Sequence, residues 1–159
     1  IFAGVGSFTV NIGLIENNIP TLGVVYAPAL NRMFFASTLT GAFEHSNDLV
    51  KPISIRELPK TGVIAVASVS HRDEATNKWL KNNNIKQTTS IGSSLKFCLV
   101  ACGEADVYPR FGPTMEWDTA AGDAILRCAG GSVRLPNNEP FMYGKNNYRN
   151  DSFIAHGSF

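Results

Sequence analysis

No apolar run in this sequence approaches the roughly 20 residues of a membrane-spanning helix, so membrane association is not indicated. An excess of either charge is missing too. With 14 basic and 13 acidic residues the formal net charge is +1, which points neither to a nucleic-acid polymer as partner nor to an acidic disordered tail. Cysteine is scarce and odd in number. Cys98, Cys102 and Cys128 lack a metal-type spacing and read as buried free thiols in a reducing compartment, which makes a cytoplasmic location the expectation. The opening Ile1-Phe-Ala-Gly-Val-Gly6 has no initiating methionine, no basic n-region and no long h-region, and is not expected to be a signal peptide. It carries the expectation that further residues precede Ile1. What the sequence has is a hydrophobic fraction of 44%, enough to bury a core within one domain-sized chain.

The pattern of that hydrophobicity changes along the chain. Phe8 to Ile15 alternates with period two, placing Phe8, Val10, Ile12 and Leu14 on one face of a strand. Thr21–Ala27 and Arg32–Ser37 read as further strands, and Gly41–Glu44 as a short fourth, with turn chemistry between them. Strands joined by short turns predict an antiparallel meander. From Val63–Ser68, a continuous apolar run, the signals begin to alternate. A helix is expected over Asp73–Lys81, a strand at Gln87–Ile91, and a helix from Ser93 or Ser94 to Cys102. A strand at Ala105–Tyr108, a helix from Asp118 to about Ala129, and strands at Ser132–Leu135 and Phe153–Ala155 complete the series. Such alternation predicts a layered, mostly parallel α/β sheet. The expected fold class is therefore α/β in two regions, 1–60 and 61–159.

The residues that invite chemistry cluster in the second region. Asp118 precedes Thr119-Ala120-Ala121-Gly122, a helix start almost without bulk. A carboxylate there either caps the helix or holds a hard cation while bare N–H groups meet a phosphate. Ser93 and Ser94 stand at another expected helix start, with Lys96 beside them. They serve as plain caps and a surface charge, or they hold a phosphate. Arg110 offers a planar fork for an anion, or pairs with Asp106 or Glu104. His71 is a loop histidine or a ligand for a phosphate or ribose hydroxyl. Trp117 and Phe111 read as packing residues.

Trp117-Asp118-Thr119-Ala120-Ala121-Gly122, followed by Gly130-Gly131, resembles the C-terminal signature of the inositol monophosphatase family. Ile91-Gly-Ser-Ser-Leu-Lys-Phe-Cys98 and Ala105-Asp-Val-Tyr-Pro-Arg-Phe-Gly112, with Phe8-Thr-Val-Asn-Ile12 and Gly23-Val-Val-Tyr-Ala-Pro28, are similar to its 3'(2'),5'-bisphosphate nucleotidase (CysQ-type) branch. The Ser70-His71-Arg72 stretch resembles a further segment of that branch, with Val69 in place of the more usual basic residue. The resemblance runs over essentially the whole chain. It implies a phosphomonoesterase that uses Mg²⁺ and takes a nucleotide bisphosphate as its small-molecule substrate. Asp118 would be the metal ligand, and His71, Ser93, Ser94, Lys96 and Arg110 would hold the nucleotide. The family's other metal-binding elements, a Glu and an Asp-Pro-x-Asp-Gly-Thr motif, do not occur here. The resemblance places them ahead of Ile1, so the expected partner is the missing N-terminal part of the same protein. Without it the chain is expected to be inactive and to expose an apolar sheet face.

Overall fold

The computed structural model describes residues 8–67 and 73–159. Five antiparallel strands come first, in spatial order as in sequence: β1 (Val10–Glu16), β2 (Ile19–Ala27), β3 (Arg32–Ser37), β4 (Gly41–Ser46) and β5 (Leu49–Pro52). Two-residue turns explain two of the tight hairpins. Asn17 and Asn18 (φ 51° and 64°), and Asn47 and Asp48 (φ 50° and 61°), take the left-handed backbone that such turns require and that Asn and Asp tolerate. The second of these turns creates β5, a strand the apolar pattern alone did not predict.

The second region follows the expected order of elements. β6 (Ile64–Ala67), α1 (Glu74–Asn82), β7 (Gln87–Ser90), α2 (Leu95–Ala101), β8 (Val107–Arg110) and β9 (Thr114–Met115) lead into α3 (Glu116–Cys128). β10 (Ser132–Arg134), β11 (Arg149–Asn150) and β12 (Phe153–His156) complete it. The main sheet has the order β10-β12-β8-β6-β7. It is mixed: β10, β8, β6 and β7 run in one sense, as a mostly parallel sheet requires, and β12 runs against them. β6 runs parallel to β7 and β8, whereas β12 lies antiparallel to β8 and to β10. β10, reached through α3, runs in the same sense as β8, and β12 alone is reversed, entering between them after the two-stranded β9–β11 ribbon has turned the chain.

One apolar core joins the two regions. Val25 and Phe34 from the first sheet share it with Leu95, Phe97, Ile125 and Phe153 from the second region. α3 is the element between them, and small residues let it approach closely. A Cβ at Gly23 would lie 2.2 Å from the Ala121 carbonyl oxygen, and one at Gly13 would lie 2.9 Å from the Ala120 Cβ. The run Ala120-Ala121-Gly122 is thus buried and pressed against β1, β2 and the Phe97 ring. Its bareness serves packing, where the sequence suggested open access for a ligand.

The other face of the first sheet is different. Val10, Ile12 and Leu14 are 55%, 61% and 48% exposed, with Phe8 at 62%, and Leu22 opposite Leu14 is exposed as well. The face predicted from the period-two pattern exists, and it meets no other element among the described residues. No described helix is long and apolar enough to cross a membrane.

Candidate functional site

A cavity of about 300 Å³ opens where β1, the loop before α2, β8 and the start of α3 converge. Asn11 comes from β1, Ser93 and Ser94 from the loop, Lys96 from α2, Arg110 from β8, Thr114 from β9, and Asp118 and Thr119 from α3. Five of the six residues singled out from sequence therefore border one space. The sixth, His71, lies outside the described residues.

The geometry refines what each can do. Lys96 is only 5% exposed, and its ammonium donates to the Ser93 carbonyl at 2.7 Å and stands 5.3 Å from the centre of the Tyr108 ring. Burial, and then the nearby Arg110 guanidinium, lower its pKa from 10.5 to about 8. It is therefore not a solvated surface charge. Arg110 does not pair with Asp106 or Glu104. Asp106 is taken by Arg56 and Glu104 by Arg32. Arg110 instead donates to the carbonyls of Gly112 and Pro113, both at 3.2 Å. Lys96 and Arg110 form no ion pair among the described residues, so two cations without a direct carboxylate partner border the cavity that Asp118 also lines.

The loop before α2 is held by hydroxyls and not by a helix cap. Ser94 has αR backbone angles and makes no side-chain cap bond; its hydroxyl donates to Asn11 Oδ1. Thr9 bonds the hydroxyls of both Ser93 and Ser94, and Asn11 Nδ2 donates to Thr9 Oγ1 at 3.1 Å. Ser93 is left-handed, with φ 60°, a strained state for a residue with a side chain. Thr9 and Asn11 escaped notice in the sequence. The signal was there: they are the polar positions that alternate with Val10 and Ile12, so they occupy the opposite face of β1.

Asp118 is the third residue of α3, not its N-cap, because the helix already begins at Glu116. Its Oδ2 accepts the Met115 N–H at 2.9 Å, closing the first turn from within. Asp118 is exposed to the cavity, and Oδ1 has no partner among the described residues. Trp117, expected to pack, is exposed, and its ring lies beside that of the exposed Tyr148, with centroids 6.3 Å apart. A hard cation such as Mg²⁺ takes oxygen ligands in octahedral array. Asp118 fits as one of them, and no group of three or more His, Cys, Asp or Glu suited to a metal stands together among the described residues.

Comparison with known proteins matches residues 2–157 to the inositol monophosphatase family. The chain is 51% identical over 128 residues to the 3'(2'),5'-bisphosphate nucleotidase CysQ of Salmonella typhimurium, covering 80% of this chain and 51% of that protein. It is 47% identical over 138 residues to the protein of the same name from Escherichia coli K12, covering 87% and 55%. Among solved structures, CysQ from Bacteroides thetaiotaomicron superposes with a TM-score of 0.88 at 39% identity, covering 97% of this chain and 64% of that one. The chain spans about half the length of the curated relatives it matches.

Proposed function

The chain belongs to the inositol monophosphatase family, and from that we propose that the full-length protein is a Mg²⁺-dependent phosphomonoesterase acting on adenosine 3',5'-bisphosphate. It removes the 3'-phosphate and yields AMP and inorganic phosphate. The observation that carries this reading is one cavity with two unpaired cations, Lys96 and Arg110, and an exposed carboxylate, Asp118. Two cations without a carboxylate partner suit a phosphate that stays on the substrate. Ser93 and Ser94 add hydroxyls beside it, and His71 is assigned to the same nucleotide. Asp118 would hold Mg²⁺, which when bound offsets charge on the scissile phosphate and activates water. The relatives named bisphosphate nucleotidases support the substrate class.

One carboxylate does not complete a cation site. We assign the remaining ligands to the part of the fold that the relatives carry beyond the span matched here, and assign to the same part the cover over the exposed face of β1 and β2. Three free thiols suit a reducing cytoplasm.

The test is phosphate release by the full-length protein from adenosine 3',5'-bisphosphate and from inositol 1-phosphate, each with and without Mg²⁺. A Mg²⁺-dependent preference for the bisphosphate supports the reading. Preference for the inositol ester would move the activity to a sugar phosphatase, and no release from either would leave a nucleotide-binding module.

A further inference from the structure

Behind the cavity, the segment from Met142 to Asn150 folds back onto the first turn of α3. The buried Glu116 carboxylate accepts the Gly144 N–H at 3.1 Å, the Lys145 N–H at 2.9 Å and the Lys145 ammonium at 3.1 Å. That ammonium also reaches the Met142 carbonyl, and lies 3.1 Å from the Asn150 side chain. An ammonium has only donors, so the Asn150 atom facing it is the amide oxygen. The amide nitrogen must then face the other way, where it lies 3.1 Å from Thr114 Oγ1 and 3.1 Å from Thr119 Oγ1. Both threonine oxygens are acceptors in these bonds. The register of the β9–β11 ribbon holds the arrangement, since Asn150 pairs directly with Thr114.

The two hydroxyl hydrogens are placed differently. Thr119 sends its own to the Glu116 carbonyl at 3.2 Å. Thr114 has no acceptor for its own among the described residues, and Thr114 borders the cavity. We propose that Thr114 is a ligand-binding residue of this cavity, its hydroxyl set as a donor to an anionic oxygen by the buried relay from Lys145 through Asn150. The bond from Asn150 takes one of the two lone pairs of Thr114 Oγ1, and the hydroxyl hydrogen, which has no acceptor among the described residues, is left to donate to a ligand. Such a donor suits an oxygen of a phosphate. The proposal rests on the phosphatase reading above.

The experiment compares full-length unmodified protein with Thr114→Val, Thr114→Ser, Asn150→Ala and the Thr114→Val/Asn150→Ala double variant. It measures kcat/KM for adenosine 3',5'-bisphosphate and, by calorimetry, the Kd of AMP and of inorganic phosphate. Thermal unfolding is followed in parallel. Thr114→Val is expected to lower kcat/KM and weaken at least one of the two ligands about tenfold, the worth of a hydrogen bond to a charged group. Thr114→Ser should restore both to within about twofold. Asn150→Ala should act in the same direction, and the double variant should be no worse than Thr114→Val alone, because the residues act in series. Should Thr114→Val leave kcat/KM and both Kd values unchanged while the unmodified protein binds both probes, Thr114 is no ligand residue. Fully additive losses in the double variant would overturn the relay. An unmodified protein that binds neither probe would sink the phosphatase reading, and this inference with it.

Discussion

Lys96 is the residue where stability and binding pull in opposite directions. Its pKa is lowered to about 8 from 10.5, so the folded state gives up a proton that the unfolded chain keeps between those values. Stability is therefore expected to rise as pH climbs from 8 to 10.5, by roughly 3 kcal/mol in all. Binding runs the other way, because only the ammonium attracts phosphate. In the full-length protein kcat/KM for the bisphosphate is expected to fall above about pH 8, read from a pH–rate profile of the free enzyme. Lys96→Met should remove that limb, weaken the bisphosphate at pH 7, and raise the urea midpoint. A variant that loses stability at pH 7 would show that the buried charge is not a burden. From the sequence alone, Lys96 reads first as a solvated surface charge. Its burial follows from α2, which is enclosed on all sides by the two sheets and α3, and no local pattern announces that.

At the scale of elements, α3 decides how the site is assembled, since it carries Asp118 at one end and packs both regions along its length. Its seat on the first sheet depends on glycine. Gly23→Ala would place a methyl 2.2 Å from the Ala121 carbonyl oxygen, so α3 must move away from β2. A loss of about 3 kcal/mol or more in urea unfolding is expected, at the upper end for overpacking. Gly112→Ala, whose Cβ would meet nothing nearer than 3.4 Å, is the control expected to change little. The order of the strands and helices was largely legible, because periodicity changes from 2 to 3.6 where the sheets and helices lie. Three features were not. β5 depends on the Asn47-Asp48 turn, the β9–β11 ribbon is too short to leave a pattern, and the sense of β12 depends on how that ribbon returns the chain. The helix start was misplaced for a related reason. Asp118 has the chemistry of a cap, but at the third position of α3 it bonds back to Met115, and the bulky Glu116 and Trp117 already belong to the helix.

For the whole molecule, the open question of partnership lies on the face of β1 and β2 away from α3. Contiguous apolar surface of this kind is rare on monomers, and Val10, Ile12, Leu14 and Leu22 all contribute to it. The 159-residue chain alone is expected to bind a hydrophobic dye such as ANS and to self-associate in sedimentation. Val10→Thr, Ile12→Thr and Leu14→Thr together should reduce both effects, and the full-length protein should show neither. A monomeric, dye-silent chain would mean the face needs no cover. The alternation along β1 made this face visible in the sequence, because one residue in two is large and apolar whatever covers it. Periodicity did not bring Ser93, Lys96, Arg110 and Asp118 to one cavity; only the family resemblance grouped them, and Asn11 was missed, since these residues come from separate elements joined by the shared core.

The most direct measurement is phosphate release from adenosine 3',5'-bisphosphate by the full-length protein and its Asp118→Asn variant across a Mg²⁺ titration. With Asp118 holding the cation, the variant should lose activity on the order of 100-fold or more and need more Mg²⁺ to recover any of it, in keeping with the several kcal/mol a bound cation supplies. An Asp118→Asn protein with undiminished activity and the same Mg²⁺ requirement would contradict the assignment of this cavity as the catalytic site.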